Sequence, residues 1–332
     1  MKNTKKIILT LILCVLSISC IGCKGGSGSS GGSGSKKILV CTNELDTFRQ
    51  SLVDAAMQAG ASKGYTMELQ TASNADEQVA ILSAAKNGGY AGVLCIPCDS
   101  NTALQLEISA GDLPIVFTNS MPSDTYLKAG KYVYCGSSER DAGNFQAEYV
   151  LEKLASQKEI NAIILKGEKG HSATNGRTGA VKDALKASGK TINYVFEDYG
   201  YWDTEKAKNM FLTFNQTGNK VDAVFCNNDN MALGVIEACN ELGIDPKSII
   251  ICGVDATVDG CKAVADGTMA YTVCQNATGQ GIACIDALAA VTKGKDLSEV
   301  ELSDPNEVVT EDMLHLYYPF EPVTKANVAD YQ

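Results

Sequence analysis

The chain has 332 residues, 45% hydrophobic and 20% charged, with 39 acidic against 28 basic side chains and a formal charge of −11. That balance argues against nucleic acid as a partner, and the length exceeds what one hydrophobic core usually supports, so two lobes are expected. Thirteen cysteines stand mostly singly inside apolar runs such as 224–226, 249–252 and 272–274, where they read as small core residues.

In chain order, Lys2, Lys5 and Lys6 precede the apolar run 7–18. This run is shorter than the roughly 18 to 20 residues needed to span a bilayer, so it reads as an export signal. Ser19, Cys20, Ile21, Gly22 and Cys23 follow, then Lys24 and a Gly/Ser tract ending at Ser35. The order looks like a bacterial lipoprotein signal: a signal peptide over 1–22, a lipidated Cys23 with Cys20 as the competing site, and a flexible tether over 23–35. Removing the signal leaves 25 basic against 39 acidic residues, a charge of −14.

From 36 onward, short β-rich apolar runs alternate with amphipathic stretches of helical length, the pattern of parallel sheets covered by helices. Strands are predicted over 37–42, 67–71, 92–96 and 114–118, helices over 47–63, 75–86 and 102–110, and a hairpin-like stretch over 126–134. The alternation then restarts, with helices over 142–155, 175–187, 204–214, 231–242, 258–265 and 279–292. Strands over 162–166, 193–197, 223–226, 249–252 and 270–274 lie between them. Two successive series of similar size predict an α/β protein of two doubly wound parallel-sheet lobes. Cys95 and Cys98 have redox or zinc spacing, but they flank Pro97 at a strand end with no second pair at zinc-site spacing, so neither metal nor redox work is expected.

In such lobes the loops at the carboxyl ends of the strands carry the ligand. Those loops hold Asp46, Phe48, Asn119, His171, Arg177, Trp202, Asn228, Asp255 and Gln275. Planar carboxylate, amide and guanidinium groups can each engage adjacent hydroxyls, and an aromatic ring can cover a C–H face, so the set suits a sugar. Structural alternatives stand beside each role. Arg177 could simply pair with an acid, Trp202 could be a hydrophobic staple beside the Asp203 cap, and Asp46 could cap the first helix. Asn228 and Asp229 could cap the helix near Met231, a role that suits Asp229 more than touching ligand, and His315 is assigned no role beyond packing.

The stretch LKGEKGHSATNGRT from Leu165, YWDTEKAK from Tyr201, the NNDNMALG run from Asn227 and GVDATVDG from Gly253 carry a resemblance over nearly the whole mature length. At these residues the chain resembles the type I periplasmic binding proteins for sugars, and the Gly-His and Trp-Asp-Thr segments are similar to the galactose/glucose branch. The resemblance implies a three-strand hinge crossed near Ser137, Asn276 and Leu314. One lobe would then comprise 36–137 with 276–314, and the other 138–275 with 315–332. It implies that Asp46 and Asn119 bind the sugar from the first lobe, that Phe48 and Trp202 cover its two faces, and that His171, Arg177, Asn228 and Asp255 bind hydroxyls from the second. Gln275 stands where the hexose proteins have asparagine. Ala173 replaces a sugar-binding aspartate, with Asn175 as the residue expected to compensate. The 155–161 stretch lacks the alternating pattern of that branch's calcium loop, so no calcium or other cofactor is expected.

The implied function is that of a non-enzymatic, lipid-anchored extracytoplasmic protein. It would capture a monosaccharide, most simply a glucose- or galactose-like hexose, and deliver it as a monomer to an ABC transporter permease, with a chemoreceptor as a further partner. A glycosidase would need two carboxylates about 5 to 10 Å apart across the sugar, for which Asp46 and Asp255 are the candidates. A sugar-responsive repressor would carry a basic helix-turn-helix where this chain has an export signal. A receptor for a pentose, nucleoside or signalling molecule, acting in chemosensing, is the alternative.

Overall fold

The computed structural model describes residues 36–332, so the expected signal, the lipidation site at Cys23 or Cys20 and the tether lie outside the described residues. The first series runs β1 (Lys37–Thr42), α1 (Thr47–Ser62), β2 (Thr66–Thr71), α2 (Ala75–Ala85), β3 (Tyr90–Cys95), α3 (Ala103–Ala110), β4 (Ile115–Thr118) and β5 (Tyr132–Gly136). The second runs α4 (Glu139–Lys153), β6 (Glu159–Lys166), α5 (Ser172–Ala187), β7 (Thr191–Tyr199), α6 (Thr204–Asn215), β8 (Ala223–Cys226), α7 (Asp229–Leu242), β9 (Ile250–Cys252), α8 (Val258–Asp266) and β10 (Thr272–Cys274). The chain ends with α9 (Ala277–Val291), β11 (Val308–Val309), β12 (His315–Tyr317) and β13 (Glu321–Val323).

These strands form a seven-stranded sheet in the order β11-β12-β5-β4-β3-β1-β2 and a four-stranded sheet in the order β7-β6-β8-β9. Every pairing is parallel except β11 with β12, and β10 pairs antiparallel with β13 beside the second sheet. Helices cover both faces. In β1, Ile38 and Val40 enter one core with Leu52 and Leu288, while Leu39 and Cys41 enter another with Leu82 and Leu106. Period-two alternation with both sets buried is what a doubly covered parallel strand requires. α1 and α9 touch backbone to backbone, because a Cβ on Gly281 would stand 2.4 Å from the Leu52 carbonyl oxygen.

The chain changes sheet between β5 and α4, between β10 and α9, and between β12 and β13. His315–Tyr317 pairs in parallel with β5, so the third passage falls at 318–320 rather than near Leu314, and residues 315–317 belong with the first sheet. One network ties the passages: Ser137 Oγ donates to the Tyr318 carbonyl (2.6 Å), Gln280 Nε2 donates to Ser137 Oγ (2.7 Å), and Asn276 Nδ2 donates to Tyr318 Oη (3.4 Å). His315 is a buried strand residue, stacked on Tyr317 and within 3.1 Å of Asp124.

Four helices begin earlier than their periodicity suggests, α4 at Glu139, α5 at Ser172, α7 at Asp229 and α9 at Ala277, α5 because His171 caps it. The hairpin-like stretch follows a 3₁₀ turn at Asp124–Tyr126 and is a tight turn closed by an antiparallel bridge between Lys128 and Tyr132, from which β5 continues. All ten described cysteines are free thiols and eight are buried. Burial pushes the Cys95 thiol far up and the Cys98 thiol up, the reverse of what a reactive pair needs.

Burial also pushes the Glu107 and Glu307 carboxyls up to about 7. A carboxyl whose folded value exceeds its unfolded value of about 4.3 stabilises the fold fully at low pH, and that contribution is lost as pH rises through about 7. The thermal midpoint should therefore fall between pH 5 and pH 8, and Glu307→Gln should make the fall shallower; melts across that window check both.

Candidate ligand-binding cleft

The carboxyl ends of both sheets face a cleft of about 840 Å³, within the size range of small-molecule sites. Asp46, Phe48 and Asn119 line it from the β1 and β4 loops. His171, Arg177, Trp202, Asn228, Asp255 and Gln275 line it from the second series. Asn175 is the exception. It is exposed, its side chain reaches only the Gly170 carbonyl at 3.5 Å, and it is not on the cleft wall. The wall positions on α5 are Ala173 and Arg177, one helical turn apart, and position 175 lies about 200° around the helix from either.

Arg177 is 3% exposed and already engaged. Its Nε donates to Glu139 Oε2 at 2.7 Å, Nη1 to the Asn227 carbonyl at 2.6 Å and Nη2 to Gln275 Oε1 at 2.8 Å, while Asp255 Oδ1 lies 3.8 Å from Nη1. Two glycines permit this: a Cβ on Gly143 would stand 2.3 Å from the Arg177 carbonyl oxygen, and one on Gly176 would stand 2.7 Å from Glu139 Cβ. Burial pushes the Asp255 and Glu139 carboxyls up, and the guanidinium opposes that shift at both. Arg177 thus pairs with an acid and lines the cleft at once.

His171 caps α5, its Nδ1 accepting from the Ala173 N–H at 3.1 Å. Burial, with Arg49 and Arg177 nearby, lowers its pKa to about 3, so the ring is neutral at physiological pH. An accepting Nδ1 assigns the proton to Nε2, which has no partner among the described residues and can donate to a ligand oxygen. The Trp202 ring lies edge-to-face with His171, centroids 5.4 Å apart, and against Gly167, where a Cβ would stand 2.0 Å from the indole. Five of the six described non-glycine residues with positive φ are on the wall: Asn119, Tyr201, Trp202, Asp255 and Ala256. Such conformations cost on the order of 1 kcal/mol each and persist where the surroundings fix them.

Asp46 does cap α1, accepting from Arg49 N–H at 2.8 Å, and still presents a half-exposed carboxylate to the cleft. Asn228 caps α7 through Met231 N–H at 3.1 Å. Asp229 does not: its buried carboxylate accepts from Thr257 N–H (2.8 Å) and Thr272 Oγ (2.6 Å), fixing the loop that carries Asp255. Sequence reasoning missed Arg49 and Glu139. Arg49 is buried, with its Nε 3.1 Å from Asn119 Oδ1, and it is a cation in the first turn of a helix, where the macrodipole disfavours one. That misplacement is the signal that could have found it.

Residues 38–296 match the family model described as the periplasmic binding protein domain. The chain belongs to the periplasmic binding protein family. A Rhizobium meliloti protein named for rhizopine binding is 30% identical over 74% of both chains. The D-galactose/methyl-galactoside binding periplasmic protein of Haemophilus influenzae is 26% identical over 87% of this chain and 88% of its own. An ABC transporter solute binding protein from Bacillus halodurans, solved with bound myo-inositol, superposes with a TM-score of 0.78 at 27% identity, covering 91% of this chain and 99% of that one. These periplasmic binding proteins are substrate-binding proteins rather than enzymes, and the chain is likewise a binding protein.

Of the two histidines, His171 should keep unchanged imidazole NMR shifts between pH 8 and pH 5. A midpoint near the ordinary value of about 6.5 would contradict the buried neutral ring.

Proposed function

We propose that this protein is the exported sugar-binding component of an ABC transporter and that its ligand is a six-membered polyol ring, a glucose- or galactose-like hexose. The observation carrying this reading is the make-up of the cleft wall: Trp202 and Phe48 for two apolar ring faces, with His171, Arg177, Asn119, Asn228, Asp46 and Asp255 as donors and acceptors for hydroxyls. A ligand that lacks one hydroxyl would leave a desolvated group unpaired, at roughly 1 to 3 kcal/mol. The relatives named for galactose and solved with myo-inositol support a six-membered ring, and myo-inositol is the second candidate.

The cleft is larger than one monosaccharide fills, which fits an open state that closes about the three passages when ligand engages both lobes. The closed form would then dock, as a monomer, on the membrane permease, and a chemoreceptor is a further candidate partner. Lipid attachment at Cys23, or Cys20, with the 23–35 tether would hold the protein at the outer face of the membrane.

Trp202 is the only tryptophan, so its fluorescence reports the site. Titration of the chain from Lys36 with glucose, galactose, myo-inositol, ribose and a nucleoside should give a saturable change with a six-membered polyol. A response to ribose or the nucleoside alone would overturn the ring-size assignment, and silence to all, confirmed by calorimetry, would overturn the sugar reading. Trp202→Ala should weaken binding, followed by calorimetry, by about tenfold or more while leaving the unfolding transition cooperative.

A further inference from the structure

Two arginines on a ligand cleft ordinarily suggest a carboxylate or phosphate ligand, since guanidinium matches both. Here neither charge is free. Arg177 is matched by Glu139 at 2.7 Å, beneath the wall. Arg49 has Asp46 at 3.6 Å and donates to Asn119 and to the Glu44 carbonyl. No lysine of the described residues lines the cleft, and His171 is neutral.

Against these two matched cations the wall carries, among the described residues, six acidic side chains, Glu44, Asp46, Glu168, Asp203, Asp255 and Asp259, of which burial pushes Asp255 toward its neutral form. Glu168, Asp203 and Asp259 have no cation within ion-pair distance among the described residues. A concave, low-dielectric wall focuses such an excess into a negative field over the whole cleft. Among the described residues the one unpartnered buried group on the wall, His171 Nε2–H, is an uncharged donor, suited to a hydroxyl oxygen.

We infer that the cleft sorts polyols by charge, admitting uncharged and amine-bearing rings and turning away those that carry a carboxylate or phosphate. The ligand assignment within this inference rests on the sugar reading above; the field does not.

The field is measurable without any sugar. Quenching of Trp202 by caesium and by iodide, each normalised to free N-acetyltryptophanamide, should favour caesium by at least about threefold at low ionic strength, and the preference should fade as salt rises. The double variant Glu168→Gln, Asp259→Asn should raise iodide quenching. Equal quenching by the two ions, or a preference for iodide, overturns the proposal whatever sugars bind.

Ligands matched at one carbon then test the sorting. Glucuronate should bind at least about tenfold more weakly than glucose, and 6-amino-6-deoxyglucose more tightly than glucuronate, with both gaps narrowing at high salt. A purely steric deficit would not respond to salt and would count against the proposal, as would glucuronate binding as well as glucose. Caesium preference with no binding of any sugar would remove the sugar reading alone and leave the charged cleft standing.

Discussion

A guanidinium cannot be taken out of water without a partner, and the second half of this protein is arranged around meeting that requirement for Arg177. Glu139 supplies the countercharge, and the Asn227 carbonyl and Gln275 side chain fix the remaining direction of the fork. Breaking such a buried pair typically costs about 3 to 5 kcal/mol. The requirement reaches into the packing of α4 on α5, where Gly143 and Gly176 bring the helices close enough for a short glutamate to reach. It also reaches the hinge, because Glu139 begins directly after the first passage and Gln275 begins the second. The group that would hold a ligand hydroxyl is therefore anchored to the segments about which the lobes would move.

The rest of the wall is held by the same kind of local over-determination. Left-handed backbone at Asn119, Tyr201, Trp202, Asp255 and Ala256 is kept in place by caps and buried carboxylates, with Asp203 capping α6, Asn228 capping α7 and Asp229 gripping Thr257 and Thr272. Strain gathered at strand ends, above rigid sheets, is what a site aimed at a ligand before it arrives looks like. Polar groups already fixed lose little further entropy on binding, so the energy of their hydrogen bonds goes into affinity and selection.

Much of this was legible in the sequence. The alternation of β-rich and amphipathic stretches has a direct physical cause, and each strand-to-helix loop marks a cleft position by topology alone, which is why Asp46, Asn119, Trp202 and Asp255 could be picked out as wall residues. Glu139 could not, because its meaning comes from a partner 38 residues away, and Arg49, whose partner is 70 residues away, left only its unfavourable place in the first turn of α1 as a signal. Asn175 was misplaced because the resemblance that pointed to it matches sequence positions and not directions, and on α5 it lies about 200° from the face that carries Ala173 and Arg177. The third passage was misplaced because the resemblance carried it over by sequence position, whereas the end of β12, only three residues long, is defined by pairing with β5.

Arg177, held ready by Glu139, Asn227 and Gln275, would be the anchor of the polyol. The most direct test is calorimetric titration of Arg177→Lys with the tightest sugar found for the unmodified protein. A lysine keeps the countercharge for Glu139 but cannot reproduce the three-way fork. Affinity should fall by about tenfold to a hundredfold while unfolding remains cooperative. Affinity within about threefold of the unmodified protein would contradict it.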